Sequence, residues 1–119
     1  MGATKYSWKL DVAPRRQWDS NAGYCGETST ITALLNYGGY MSQYDMRVAA
    51  SPTAKNVQTT TQYLVNINDQ KCATNVKLAS EKWNSTSGSV TEYFAWIKRH
   101  IQAGHPVTMV VYENQYVFH

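Results

Sequence analysis

Apolar and polar side chains alternate near the start of the chain, where Tyr6, Trp8, Leu10 and Val12 are interleaved with Ser7, Lys9 and Asp11. A period of two predicts an extended segment with one buried face, and Pro14 ends it. Further on the period lengthens. Ile31, Leu34 and Leu35 fall on one helical face and Gly38-Gly39 offer a left-handed stop, which predicts a short helix over 26–37 with Cys25 at its entry. Ser42, followed three positions on by Asp45, predicts another helix start, and Pro52 closes that segment. Val57, Thr61, Leu64 and Val65 share a face, which predicts a helix from about Lys55 to Val65, broken by "NIND" at 66–69.

In "TNVKLAS", Val76 and Leu78 alternate with polar neighbours and predict a short strand, ahead of a polar loop at 84–88. Ser89 and Glu92 have the spacing of a capping box, and Val90, Phe94, Ile97 and Ile101 recur at helical spacing behind it. That helix should end at Gly104, since Pro106 prevents its continuation. "VTMVVY" then reads as a buried strand, Glu113-Asn114-Gln115 as a turn, and "YVFH" as the start of a partner strand. A strand pair whose second member is cut lacks neighbours, so completion downstream or by another chain is expected, with self-association through the incomplete sheet edge.

With 119 residues, 43% of them hydrophobic, the chain suits one globular domain spanning 1–119. Its net charge of +3 is scattered, which argues against a nucleic-acid partner. Lys98, Arg99 and His100 form the densest basic group, and they fall in a last helical turn, where positive charge complements the helix dipole. No run approaches the roughly 20 apolar residues needed to cross a bilayer, so no membrane partner is expected. The sequon Asn84-Ser85-Thr86 points to a secreted or extracellular setting, although the first ten residues lack the apolar run of a secretion signal. The spacing of Cys25 and Cys72 matches no zinc pattern, and two free thiols are expected in place of a single bridge.

Helix starts expose N–H groups that stabilise negative charge, and the thiolate is the nucleophilic form of cysteine. Gly23 and Gly26 flank Tyr24-Cys25, so the backbone can turn tightly and a substrate can approach the sulfur. A small buried helix-entry residue is the plain alternative for Cys25. Gln17, eight residues upstream, shifts the balance, because its carboxamide and the Cys25 N–H could together supply two donors to a developing oxyanion.

With Gln17, the Y-C-G-x-x-S element at 24–29 and the L-N-Y-G-G ending at 35–39, the chain resembles the papain-like cysteine peptidases, most closely their C39-like branch. The resemblance is strongest over residues 10–47 and looser over the "GHPVTMVV" stretch at 104–111. It implies an α+β papain-like fold: a helical half around a central nucleophile helix, then the beginning of an antiparallel sheet, here truncated. It implies a peptide or protein substrate, no cofactor and no metal, with Cys25 as nucleophile and Gln17 assisting the oxyanion hole. The base in that family is a histidine on the following sheet. His119 stands nearest that place, ahead of His105, a connector at the strand entrance, and His100, at a helix end. The base could equally lie beyond the terminus, and neither Asn114 nor Asp69 has the position of the orienting residue. Trp18, Gly23 and Tyr24 are the candidate substrate contacts.

Glu27 departs from the pattern, which often carries proline there; a carboxylate suits a first helical turn but opposes negative charge on the neighbouring sulfur. Phytochelatin synthases carry a similar element, so γ-glutamyl-type transpeptidation is an alternative chemistry. From a different class comes the reading of a non-catalytic relative that binds protein or glycan through its aromatic surface.

Overall fold

The computed structural model describes residues 7–18, 23–52, 63, 67–83 and 88–110. Among them the chain forms four helices: α1 (Cys25–Leu35), α2 (Gln43–Ala50), α3 (Asp69–Asn75) and α4 (Val90–Gln102). Helix α1 begins at Cys25, as its pattern predicts, and stops where Gly38 adopts a φ of +79°. Helix α2 is capped by Ser42, whose Oγ accepts the Asp45 N–H at 3.0 Å. Both halves of the capping box form at α4: Ser89 N–H donates to the Glu92 carboxylate at 2.7 Å and Glu92 N–H to Ser89 Oγ at 3.2 Å.

The core lies where α1, α2 and α3 meet. Ile31 and Leu34 from α1, Met46 and Ala50 from α2, and Cys72 from α3 are buried together. Each large side chain so enclosed stabilises the fold by about 1.5–3 kcal/mol. Asn75 Nδ2 donates to Ala49 O at 2.7 Å, which fixes α3 against the end of α2 and satisfies a carbonyl that the helix leaves open.

Helix α3 and the turn after it correct the expected strand at "TNVKLAS". Thr74 and Asn75 belong to α3, and Lys77 takes a left-handed φ of 64°. Leu78 N–H then returns to Ala73 O at 2.8 Å, closing the helix end. Val76 and Leu78 both pack on the core because this turn brings them to one side; a sheet would also do so, but by alternation.

The expected extended segment keeps its pattern only in part and, among the described residues, without a ladder: Trp8, expected on the buried face, is 50% exposed. Leu10 and Val12 are half-buried while Ser7, Lys9 and Asp11 are exposed, and Ser7 makes an isolated bridge. Leu10 and Val12 line a groove with Thr32 and Ala33 of α1 and with Ile101 and Pro106 at the end of α4. Asn36 Nδ2 ties the end of α1 to the same place, donating to Gly104 O at 2.9 Å. The buried strand expected at "VTMVVY" is corrected over its described part: residues 107–110 form no strand and Met109 and Val110 are exposed, while 111 and 112 lie outside the described residues. Helix α4 buries none of its residues fully, with Val90 and Phe94 largely exposed. The predicted helix at 55–65, apart from Tyr63, the sequon, and the turn and strand at 113–119 lie outside the described residues. No helix among the described residues is long and apolar enough to cross a membrane.

Candidate active site

Cys25 is exposed at the first position of α1, whereas Cys72 is buried, and both thiols are free. The Tyr24 carbonyl accepts two hydrogen bonds from Thr28, from its N–H at 2.9 Å and its hydroxyl at 2.8 Å. The peptide between Tyr24 and Cys25 is thereby fixed with its carbonyl directed into α1. In a trans peptide the N–H points the opposite way, so the Cys25 N–H is directed out of the helix start. Gly23 has a φ of 65°, a left-handed conformation that glycine adopts without the cost borne by other residues, and this turns the chain into the helix.

The residues flanking Cys25 meet a buried charged pair that sequence reasoning missed. Arg47 of α2 and Glu27 of α1 are both fully buried, and Arg47 Nε donates to Glu27 Oε1 at 2.7 Å. Arg47 Nη2 also donates to Gly23 O at 2.9 Å, and the guanidinium lies 3.7 Å from the centre of the Tyr24 ring. Tyr63 N–H donates to Glu27 Oε1 at 2.9 Å, while Glu27 Oε2 finds no hydrogen-bond partner among the described residues. The guanidinium offsets the charge of Glu27, the carboxylate that at sequence level stood against a charged sulfur.

The Gln17 segment is held by the same helix. Gln43 is buried, accepts the Trp18 N–H on Oε1 at 2.9 Å and donates from Nε2 to Arg16 O at 2.8 Å. Its carboxamide thus makes the pair of bonds that a neighbouring strand would offer to residues 16 and 18, on either side of half-buried Gln17. The Trp18 ring meets the Tyr24 ring edge-on with centroids 5.8 Å apart, which brings the two segments together.

Gly23 and Tyr24 directly precede Cys25, and the Trp18 ring contacts that of Tyr24. Trp18 is 60% exposed; Tyr24 is 5% exposed, its ring enclosed between Trp18 and Arg47. His119 lies outside the described residues. His100 packs against Trp96, with ring centroids 4.5 Å apart, and its Nε2 lies 3.5 Å from Glu81 Oε1. The Trp96 indole N–H, donating to Glu81 at 3.0 Å, and nearby His100 hold that carboxyl below its usual range. His105 stands beside His100, ring centroids 6.0 Å apart.

The only signal the sequence could offer for the pair is conditional: Glu27 would need a cation if buried, and its neighbours Gly26, Thr28 and Ser29 give no sign that it is.

No curated protein and no solved structure matches the chain. The model of the Peptidase_C39 like family matches residues 9–118, a span that takes in both the Gln17 segment and the Cys25 turn, and the chain belongs to that family.

Proposed function

We propose that the chain is a cysteine peptidase with Cys25 as its nucleophile. The sulfur attacks the carbonyl carbon of a peptide bond, and an S–C bond forms as the carbonyl oxygen gains negative charge. The Cys25 N–H and the Gln17 carboxamide donate to that oxygen. The C–N bond then breaks, the amine leaves with a proton from the histidine base, and water hydrolyses the thioester to release the acid and restore the thiol. His119 is the proposed base. Trp18, being exposed, is the proposed substrate contact; Tyr24, being enclosed, supports the turn.

The observation that carries this reading is the pinned Tyr24 carbonyl, which directs the Cys25 N–H out of the helix start beside an exposed sulfur. A panel of fluorogenic peptide amides tests it. Turnover should disappear in Cys25→Ala and fall about 100-fold in kcat/KM in Gln17→Ala, the effect of losing one oxyanion donor. His119→Ala should abolish the thiol-dependent rate. Turnover that survives Cys25→Ala sinks the proposal. The exposed apolar side chains Val90 and Phe94 of α4 favour the second reading, a non-catalytic binding module. An inactive panel together with saturable binding of a peptide would support it.

A further inference from the structure

Gln43 and Arg47 are four residues apart on α2 and so share one face of that helix. Both are buried, and both spend polar groups on backbone of the site: Gln43 on Arg16 O and Trp18 N, Arg47 on Gly23 O. Arg47 also holds Glu27, so its contacts fall on both sides of Cys25, at residues 23, 24 and 27. Gln43 contacts both sides of Gln17 in the same manner, at residues 16 and 18. A helix rises about 1.5 Å per residue, so the two anchor points are set about 6 Å apart along a rigid rod.

We propose that Gln43 and Arg47 are positioning residues, which hold the Gln17 segment and the Cys25 turn in fixed register so that both oxyanion donors reach one point. This inference rests on the peptidase reading and adds to it a supporting layer on α2. A donor on an extended segment and one at a helix start have no fixed spacing of their own. Catalysis by such donors needs them placed before the charge develops, and a displacement of about 1 Å can cost about 100-fold in rate. The carboxamide of Gln43 and the fork of Arg47 supply that placement from one element. Neither side chain needs to touch substrate.

The test is a double-mutant cycle on the full chain, with peptide-amide turnover as one readout and iodoacetamide labelling of Cys25 as the other. Gln43→Met removes both bonds at similar volume. It should lower kcat about tenfold, leave KM nearly unchanged and leave Cys25 labelling unchanged. In a Gln17→Ala background the same substitution should cost less than twofold, because the group it positions is already gone. Arg47→Lys should slow both turnover and Cys25 labelling, and its cost in turnover should be smaller in the Gln17→Ala background than in the unaltered chain. Thermal unfolding of each variant separates a loss of fold from a loss of placement.

Equal losses from Gln43→Met in both backgrounds, in chains that remain folded, overturn the positioning role. So does a Gln43→Met chain whose Cys25 labelling falls as far as its turnover. Absence of Cys25-dependent turnover in the unaltered chain overturns the peptidase reading itself, and the positioning role with it.

Discussion

Arg47→Met is the most severe single substitution the structure predicts away from the reacting groups. It keeps most of the side-chain volume and removes every polar contact of the guanidinium. Glu27 would then be a fully buried carboxylate with the Tyr63 N–H, at 2.9 Å, as its remaining donor among the described residues. Gly23 O would lose its donor at 2.9 Å and the Tyr24 ring its cation at 3.7 Å. Breaking a buried ion pair from one side costs about 3–5 kcal/mol, because the surviving charge is left uncompensated. Against a typical domain stability of about 5–15 kcal/mol, that is a large share.

Urea denaturation followed by tryptophan fluorescence measures the loss. With a slope of about 1.5 kcal/mol per molar urea, the midpoint should fall by about 2–3 M. The mechanism predicts a rescue: Glu27→Gln in the Arg47→Met chain removes the stranded charge while its amide oxygen still accepts from Tyr63. About half of the lost stability should return. Arg47→Lys, which keeps the charge but not the fork, should fall between the unaltered chain and Arg47→Met. A midpoint shift under about 0.5 M for Arg47→Met, or a double variant less stable than the single one, would falsify the account of a charge pair anchoring the turn.

Two further outcomes follow from the core. Burial, with Glu27 and Asp69 adding to it, pushes the Cys72 thiol up from 9.0 to about 12. The unfolded chain therefore loses this proton first, so stability should be fully present below about pH 9 and decline toward pH 12 by up to about 1.4 kcal/mol per pH unit. Cys72→Ala should flatten that decline between pH 9 and 10.5 in urea titrations; equal slopes would remove Cys72 as its cause. Gly26→Ala would drive a new Cβ into the Tyr63 ring and within 3.0 Å of Tyr63 O. It should cost about 1–3 kcal/mol by overpacking, and a thermal melt indistinguishable from that of the unaltered chain would contradict the close packing of Tyr63 on α1.

Three of the four described helices were legible because their ends carry local chemistry. Ser42 and Ser89 each accept on their own hydroxyl the N–H three residues on, and Gly38 stops α1 in a conformation that glycine favours. Helix α3 has no such signal: Asn68 makes no side-chain cap, and only Cys72 and Ala73 of its seven residues are buried. What holds α3 is tertiary, the packing of Cys72 on Met46 and the Asn75 bond to α2, and neither has a period in sequence. The apparent alternation at Val76 and Leu78 failed for a related reason, since Lys77 between them turns left-handed.

At the site, residues that act through neighbours in sequence were readable and those that act across the fold were not. Cys25 was legible as a helix entry from the local pattern, and Gln17 entered through the family resemblance. Gln43 and Arg47 reach back 27 and 20 residues to Arg16 and Glu27. In sequence they look like ordinary polar positions of a solvent-facing helix, and only folding identifies them as buried.

Glu27 shows how the departure from the proline-bearing pattern changes what the turn depends on. A proline would restrict the first turn of α1 through its own ring, a constraint carried within one residue. Glu27 imposes no such restriction; it holds the turn through Arg47 of α2 and the Tyr63 N–H, two partners distant in sequence. The Cys25 turn is therefore tied to α2 as well as to Thr28 of its own helix. Glu27→Pro should not restore the usual arrangement, because it leaves Arg47 buried without its anion at a cost of about 3–5 kcal/mol. Glu27→Pro combined with Arg47→Leu removes both charges and should recover most of that loss, with Gly23 O still lacking its donor. Urea midpoints for the two chains decide the matter: a Glu27→Pro chain as stable as the unaltered one would mean that local backbone restriction, and not the tie to α2, is what the turn requires.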